Sequence, residues 1–497
     1  MRDLTDSSEN ARVLELASGL LAEHGDRVIE LDRAAAAPGA PGDDPVQIEA
    51  LRCAHSRLAL RRALEAGGGP LDLSIVWAMY GETARIRPAD EDNPHGEDFL
   101  RAKIDQVRWL VDGLDVGWHL VAVDDGCPDS PSSAEVARLI IGDTGLGGRP
   151  PGDPPPSDRA PGDRPGEGVT ERVTVLELSQ VVGRPTSPEG VDLTGLSDGF
   201  RRLRSPSQSR KGGSVLYGLW HALSLAGERG ERSSGRPTDP GSAAARPHRR
   251  RGDRRHVALY TDADLSANLA QTGLLAAPII EDRASAVVGQ RYGIEGAVLV
   301  TADGASTEPE STGRKPDKMI VLFRHFVRAV LMPDIANVLD THAGFKAFDA
   351  RPLSQVIGLM DSFDETFDVE LLVRLTQHLS RSGEPGLAVA PIVFVEDFAQ
   401  TNFPSIDPGQ RHLDMIGQLV AIHDRLVAPV VPPTNETAEL LEWVRGLDLD
   451  AYVATIERLK AADRASLGRG GADPLFDSRW SLDELQSGAA DGALDSL

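Results

Sequence analysis

Two cysteines, Cys53 and Cys127, are all that 497 residues contain, too few for a disulfide framework or a four-cysteine zinc site, so a reducing, cytoplasmic setting is the expectation. Aromatic residues are scarce at 5%, which leaves few rings to anchor the chain at a lipid interface. No apolar run approaches the roughly 18 residues that a spanning helix needs. The segment Met1 to Asn10 has acids and no apolar stretch, so neither a transmembrane segment nor a signal peptide is expected. Positive charge is in deficit as well. Lys plus Arg number 52 against 76 Asp plus Glu, a formal charge of −24, which argues against general affinity for nucleic acid or anionic membrane.

What the chain does have is a globular balance, 40% hydrophobic and 26% charged, enriched in Gly (50) and Pro (34). Residues 12–35 and 46–66 carry apolar residues at helical spacing around the breaker run Ala37 to Gly42, and read as a helical N-terminal extension over 1–70. From Leu71 short apolar runs alternate with amphipathic stretches in the order βαβαβ, which predicts an α/β fold with a mostly parallel sheet flanked by helices over 71–400. Three polar, Gly/Pro-rich stretches, about 146–168, 228–255 and 303–317, hold too little apolar material to offset the entropy of ordering and read as disordered insertions. Between Arg201 and His256 lie 14 basic and 4 acidic residues, either a solvated loop or a contact for an anionic surface or polyphosphate. Residues 408–465 read as helices within a C-terminal extension, 401–497, whose last thirty residues fray. Those helices either cover the site, make a dimer contact or pack on the sheet domain.

Candidate chemistry lies where predicted strands end. Val257-Ala258-Leu259 runs into Tyr260-Thr261-Asp262-Ala263-Asp264, and carboxylates at the carboxyl end of a strand sit where open α/β sheets bind ligands. Asp262 and Asp264 can share one hard cation, Mg2+ or Mn2+, with a nucleoside diphosphate completing its oxygen shell. Leu120 to Val123 likewise leads into Asp124-Asp125-Gly126. A carboxylate there can accept from a base ring N–H or ribose hydroxyls, or simply cap the next helix. A third strand, Ser74 to Met79, ends in Tyr80-Gly81-Glu82.

This series resembles the GT-A nucleotide-sugar glycosyltransferases of family two. Arg210-Lys211-Gly212-Gly213 is similar to the family's Gly-Lys-Gly segment, where Lys211 can meet a diphosphate at a helix N-terminus or simply mark a glycine-rich helix start. Gly289-Gln290-Arg291-Tyr292 looks like the Gly-Ser-Arg segment of polyprenyl-phosphate sugar transferases. Asp340-Thr341-His342-Ala343-Gly344-Phe345-Lys346-Ala347-Phe348 and Phe367-Asp368-Val369-Glu370-Leu371-Leu372 are similar to their Asp-Thr-x-x-Gly-Phe-Lys-x-Phe and Phe-Asp-x-Glu-Leu-Leu, most of all in dolichyl-phosphate glucosyltransferases. Gly81 and Gln290 depart from the pattern, which has Asn and Ser there.

The resemblance implies a Rossmann-like GT-A domain and metal-dependent, inverting transfer of a sugar from a UDP- or GDP-linked donor to a hydroxyl or phosphate. Asp262 and Asp264 would hold the metal. Tyr80, Glu82, Asp124, Asp125, Lys211, Asp262, Arg291 and Lys346 would contact substrate. Asp368, with Glu370 second, would be the base, at a helix start whose dipole keeps an acid ionised; the same acids could merely complement that dipole. His342 is either a metal or acceptor contact or a satisfied loop histidine. A soluble acceptor is expected before a peripheral prenyl-phosphate. The other readings are a sugar-phosphate nucleotidyltransferase and a nucleotide-sugar-binding scaffold without turnover.

Overall fold

The computed structural model describes residues 2–37, 44–144, 171–188, 190–209, 211–234, 254–291, 294–301, 320–335, 338–396, 408–466 and 482–487. Its strands are β1 (Leu71–Met79), β2 (Val116–Asp124), β3 (Glu171–Glu177), β4 (Arg255–Thr261), β5 (Ala286–Gln290), β6 (Val298–Thr301), β7 (Phe345–Asp349), β8 (Leu387–Pro391) and β9 (Val393–Glu396). Seven of them form one sheet in the order β3-β2-β1-β4-β7-β5-β8, and β6 pairs with β9 in a small second sheet. Every pairing in the large sheet is parallel except those of β7, which runs antiparallel between β4 and β5. The expected mostly parallel α/β sheet is therefore present.

Apolar runs without polar alternation fit strands covered on both faces, and β1 shows how. Leu73, Ile75, Trp77 and Met79 enter a core shared with helices α4 (Phe99–Val111), α5 (Ser133–Thr144) and α8 (Thr272–Ile280). Val76 points into the opposite core, built with α7 (Gly212–Ser234), α10 (Ala350–Val356) and α11 (Phe367–Ser382). The short α6 (Asp198–Arg202) precedes α7, and α9 (Ile320–Phe326) joins the same layer through Leu322, Phe323 and Phe326.

At the N-terminus, α1 (Ser7–His24), α2 (Val28–Ala35) and α3 (Pro45–Ala63) enclose a small core of Val13, Val28, Val46 and Cys53. Arg52 on α3 donates to Asp32 at 2.8 Å and to the Pro391 carbonyl at 2.6 Å, so α3 is tied to the sheet's far edge. At the other end, α12 (Pro408–Ile422), α13 (Asn435–Arg445) and α14 (Leu449–Ser466) extend the α7/α11 layer with Ile416, Leu419, Leu440 and Tyr452. Packing on the sheet domain is thus what these helices do.

Three boundaries differ from the sequence reading. Helix α7 continues to Ser234, and Arg254 and Arg255 belong to the fold rather than to the insertion. Arg255 pairs with Leu71 in the ladder and its guanidinium meets Asp349 at 3.2 Å, while Arg254 meets Asp72 at 2.9 Å. Arg254 and Arg255 thus stand at the start of β4, whereas Lys211 meets Asp262 just past its far end. Within the tail expected to fray, Leu482–Ser487 is a helix, α15, with Leu485 in the core. The insertion 146–168, the stretch 235–253 of the second, the third at 303–317, and the rest of the tail lie outside the described residues.

The α3/α8 crossing rests on Gly273, where a Cβ would overlap the Ser56 carbonyl. Gly273→Val should lower stability by about 1–3 kcal/mol, read as a lower urea midpoint. An unchanged midpoint would show that the two helices can part freely.

Candidate active site

Strand order reverses beside β1. Its partner β2 lies on one side and β4 on the other, and the carboxyl ends of strands at such a reversal are where open α/β sheets form their ligand crevice. Tyr80, Gly81 and Glu82 follow one of these strands, and Asp262 and Asp264 the other. Tyr80 is 53% exposed, while Glu82 is buried and gripped by Arg85 through two bonds of 2.7 Å. Arg85 also reaches Asp264 at 3.3 Å and Glu97 at 3.7 Å, so one guanidinium bridges the acids of both strand ends. Burial pushes the Glu82 carboxyl up, with Arg85 opposing, and pushes Glu97 up to about 8.

Beneath this loop lies Lys103, which sequence reading missed. Its ammonium is fully buried and donates to the carbonyls of Asp262 at 3.2 Å and Asp264 at 2.7 Å, beside the Trp77 ring. Burial lowers its pKa to about 8 against the pull of Asp264 and Glu97. A signal existed: Leu100, Lys103, Ile104 and Val107 share one helical stripe, and a lysine on a core-facing stripe needs a buried partner.

Asp262 is set by its far neighbours. Its N–H donates to the Gly344 carbonyl at 3.1 Å, and a Cβ on Gly344 would overlap its carboxylate. That carboxylate accepts from Lys211 Nζ. Burial raises its pKa, but Lys211, Arg291 and Lys346 outweigh burial and hold it below the usual carboxylate range. Lys211 itself sits just before α7 with φ of 73°, and its N–H donates to Asp125 at 2.6 Å. Asp125 also accepts from Ser209 and Ser214, and Gly213 N–H is taken by the Phe363 carbonyl at 3.1 Å. At the start of α7, Asp125 and Phe363 thus take main-chain N–H groups, and the Lys211 side chain turns to Asp262. Asp124 accepts from the N–H groups of Gly126, Cys127 and Ala134, capping α5. Both carboxylates order main chain here.

The third wall comes from the β7 and α11 segments. Arg291 grips buried Asp340 through bonds of 2.6 and 2.9 Å and lies over the Phe394 ring. Burial raises the Asp340 pKa, and Arg291 more than reverses this. Lys346, on β7 opposite Tyr260, is fully buried; it donates to the Ala343 carbonyl at 2.5 Å and stands 3.4 Å from Asp368. Asp368 opens α11, as its sequence predicts, and His342 Nδ1 lies 3.6 Å from the same carboxylate oxygen. Burial raises the Asp368 pKa; His342 and Lys346 pull it below the usual range. Glu370 points elsewhere. Its buried carboxylate accepts from Ser362 at 2.5 Å, Arg374 at 2.6 Å and Arg425 at 2.8 Å, which fixes the loop before α11 and anchors the C-terminal segment. Those donors hold Glu370 away and leave Asp368 as the carboxylate beside Lys346 and His342.

Among the described residues, no three His, Cys, Asp or Glu side chains come together to hold a metal ion. Asp262 and Asp264 supply two hard carboxylate ligands at most, which suits a cation completed by a substrate's phosphates and water rather than one caged by protein. Among those residues also, no helix is long and apolar enough to cross a membrane. Compared with known proteins, the chain matches no family model and no curated protein.

Two outcomes follow. Lys103→Met strips a donor from two buried carbonyls and should cost about 1–3 kcal/mol in urea unfolding; an equally stable variant would remove Lys103 as the loop's support. The Asp340–Arg291 pair has a depressed carboxyl, so its contribution is complete above the ordinary value of 3.8 and is lost as pH falls through the lower folded value. Asp340→Asn should therefore destabilise the chain at pH 7 by about 3 kcal/mol, with the deficit shrinking below pH 4. A deficit equal at pH 7 and pH 3 would contradict this.

Proposed function

We propose that this chain is a GT-A-type glycosyltransferase that moves a sugar from a UDP- or GDP-linked donor to an acceptor hydroxyl, inverting the anomeric carbon by direct displacement. One observation carries the reading: segments scattered from residue 80 to residue 368 meet at one crevice, with Asp262 touching Lys211 and Gly344, and Asp368 touching Lys346 and His342. These are the segments whose sequences resemble the family.

Tyr80 offers an exposed ring to the nucleobase, beside the buried Glu82–Arg85 pair. Lys211 would leave Asp262 for the donor diphosphate, freeing that carboxylate. Asp262 and Asp264 would then hold Mg2+ or Mn2+, which supplies positive charge to the diphosphate as it departs. Arg291 keeps Asp340 in place, and buried Lys346 fixes the loop that carries His342. On the acceptor side the hydroxyl proton leaves toward the paired His342 and Asp368. A hydroxyl acceptor is favoured over a phosphate, since Asp262, Asp340 and Asp368 already match Lys211, Arg291 and Lys346 in charge and leave little surplus for a second anion. A soluble acceptor is favoured over a prenyl-phosphate.

Calorimetric titration with UDP-glucose, GDP-mannose and ATP, each with and without Mn2+, tests this. One sugar nucleotide should bind, more tightly with Mn2+, while Mn2+ alone binds weakly. Asp264→Asn should weaken binding at least tenfold and abolish the Mn2+ dependence. Unchanged affinity in that variant, or binding of ATP alone, would overturn the reading.

A further inference from the structure

The proton acceptor in this cluster is open to a closer reading. Asp368 is poorly placed to meet an acceptor itself. Its side chain is only 6% exposed, Oδ1 accepts from the Val369 N–H at 2.8 Å, and Oδ2 faces Lys346 and His342. With the Lys346 ammonium 3.4 Å from Oδ2, that carboxylate is held ionised and is a weak base near neutrality.

His342 has the complementary arrangement. Nδ1 faces the Asp368 carboxylate at 3.6 Å, and the ring lies against Phe323 with centroids 4.3 Å apart. Nε2, on the other side of the ring, is itself buried and has no hydrogen-bond partner among the described residues, and the same holds for the neighbouring Thr341 hydroxyl and for the Tyr260 hydroxyl near the end of β4. A buried nitrogen left without a partner costs about 1–3 kcal/mol, a cost that a polar group bonded to Nε2 would remove. An imidazole with one nitrogen held by a carboxylate and the other vacant is the arrangement of an oriented general base.

We infer that His342 Nε2 takes the acceptor proton, with Asp368 behind it as the orienting and charge-balancing carboxylate. The inference rests on the glycosyl-transfer reading. As the acceptor oxygen bonds to the anomeric carbon, the bond from that carbon to the diphosphate oxygen breaks, and its electron pair leaves with the nucleoside diphosphate. The acceptor proton passes to Nε2, and the imidazolium is held at Nδ1 by Asp368 until the proton is lost to solvent. Asp368 is then a positioning residue and His342 the catalytic one.

The test uses the full chain with water as the acceptor: cleavage of UDP-glucose and GDP-mannose with Mn2+, read as released nucleoside diphosphate. In His342→Ala the turnover should fall about 100-fold or more while donor affinity changes less than threefold, and added imidazole should restore turnover saturably. His342→Gln keeps a polar side chain of similar reach and should be as slow, which separates proton transfer from folding. Asp368→Asn should be slow and not rescued, and the double variant no slower than His342→Ala alone. If the parent chain cleaves a donor and His342→Ala does so within threefold, is not rescued, or no longer binds donor, the role of His342 is refuted and glycosyl transfer stands. If the parent chain neither binds nor cleaves either donor, both fall together.

Discussion

Acids gathered at one edge of a sheet repel one another and lose solvent, so they persist there only with cations between them. That constraint organises this structure. Arg85 stands between Glu82, Glu97 and Asp264; Lys211 meets Asp262; Arg291 meets Asp340; Lys346 meets Asp368. In a chain of formal charge −24 these cations are placed rather than plentiful. Each comes from a different segment, so the charge pattern also joins β1, β4, β7 and the starts of α7 and α11 into one unit.

The same pattern explains how a site can be stable without ligand and still receive one. Two of the pairs, at Asp262 and Asp264, are partly exposed, whereas Asp340 and Lys346 are fully buried. Under the proposed function, a diphosphate with its cation would exchange into the exposed pairs, with Lys211 trading one anion for another. The buried pairs keep the geometry while this happens. Lys103, below the loop, fixes the main chain through the Asp262 and Asp264 carbonyls and leaves their carboxylates to Lys211 and Arg85.

Much of the framework was legible because its cause is local. The apolar runs of β1, β2 and β4, each ended by acids, and the helical spacing of 12–35, 46–66 and 408–465 needed no tertiary information. The direction of β7 was not legible, since Phe345 to Asp349 has one alternation whichever way it runs, and its antiparallel course is set by pairing with β4 and β5. Asp262, Asp264, Asp368 and Lys346 could be picked out by strand-end and helix-start position together with the family resemblance. The partners that define them could not. Asp125 is occupied by Lys211 and Ser214, and Glu370 by Ser362 and Arg425, through contacts that a one-dimensional reading has no means to weigh. Arg85 and Glu97 look like surface charges until β1 and β4 are adjacent.

The most direct measurement is a crystal of the chain grown with Mn2+ and the sugar nucleotide that binds it, with the manganese located by its anomalous signal. The account predicts a single strong peak between the Asp262–Asp264 carboxylates and the diphosphate, with Lys211 turned from Asp262 to the phosphates and the sugar facing His342 and Asp368. A nucleotide seated away from the ends of β1 and β4, or manganese bound elsewhere with the Lys211–Asp262 pair intact, would contradict it.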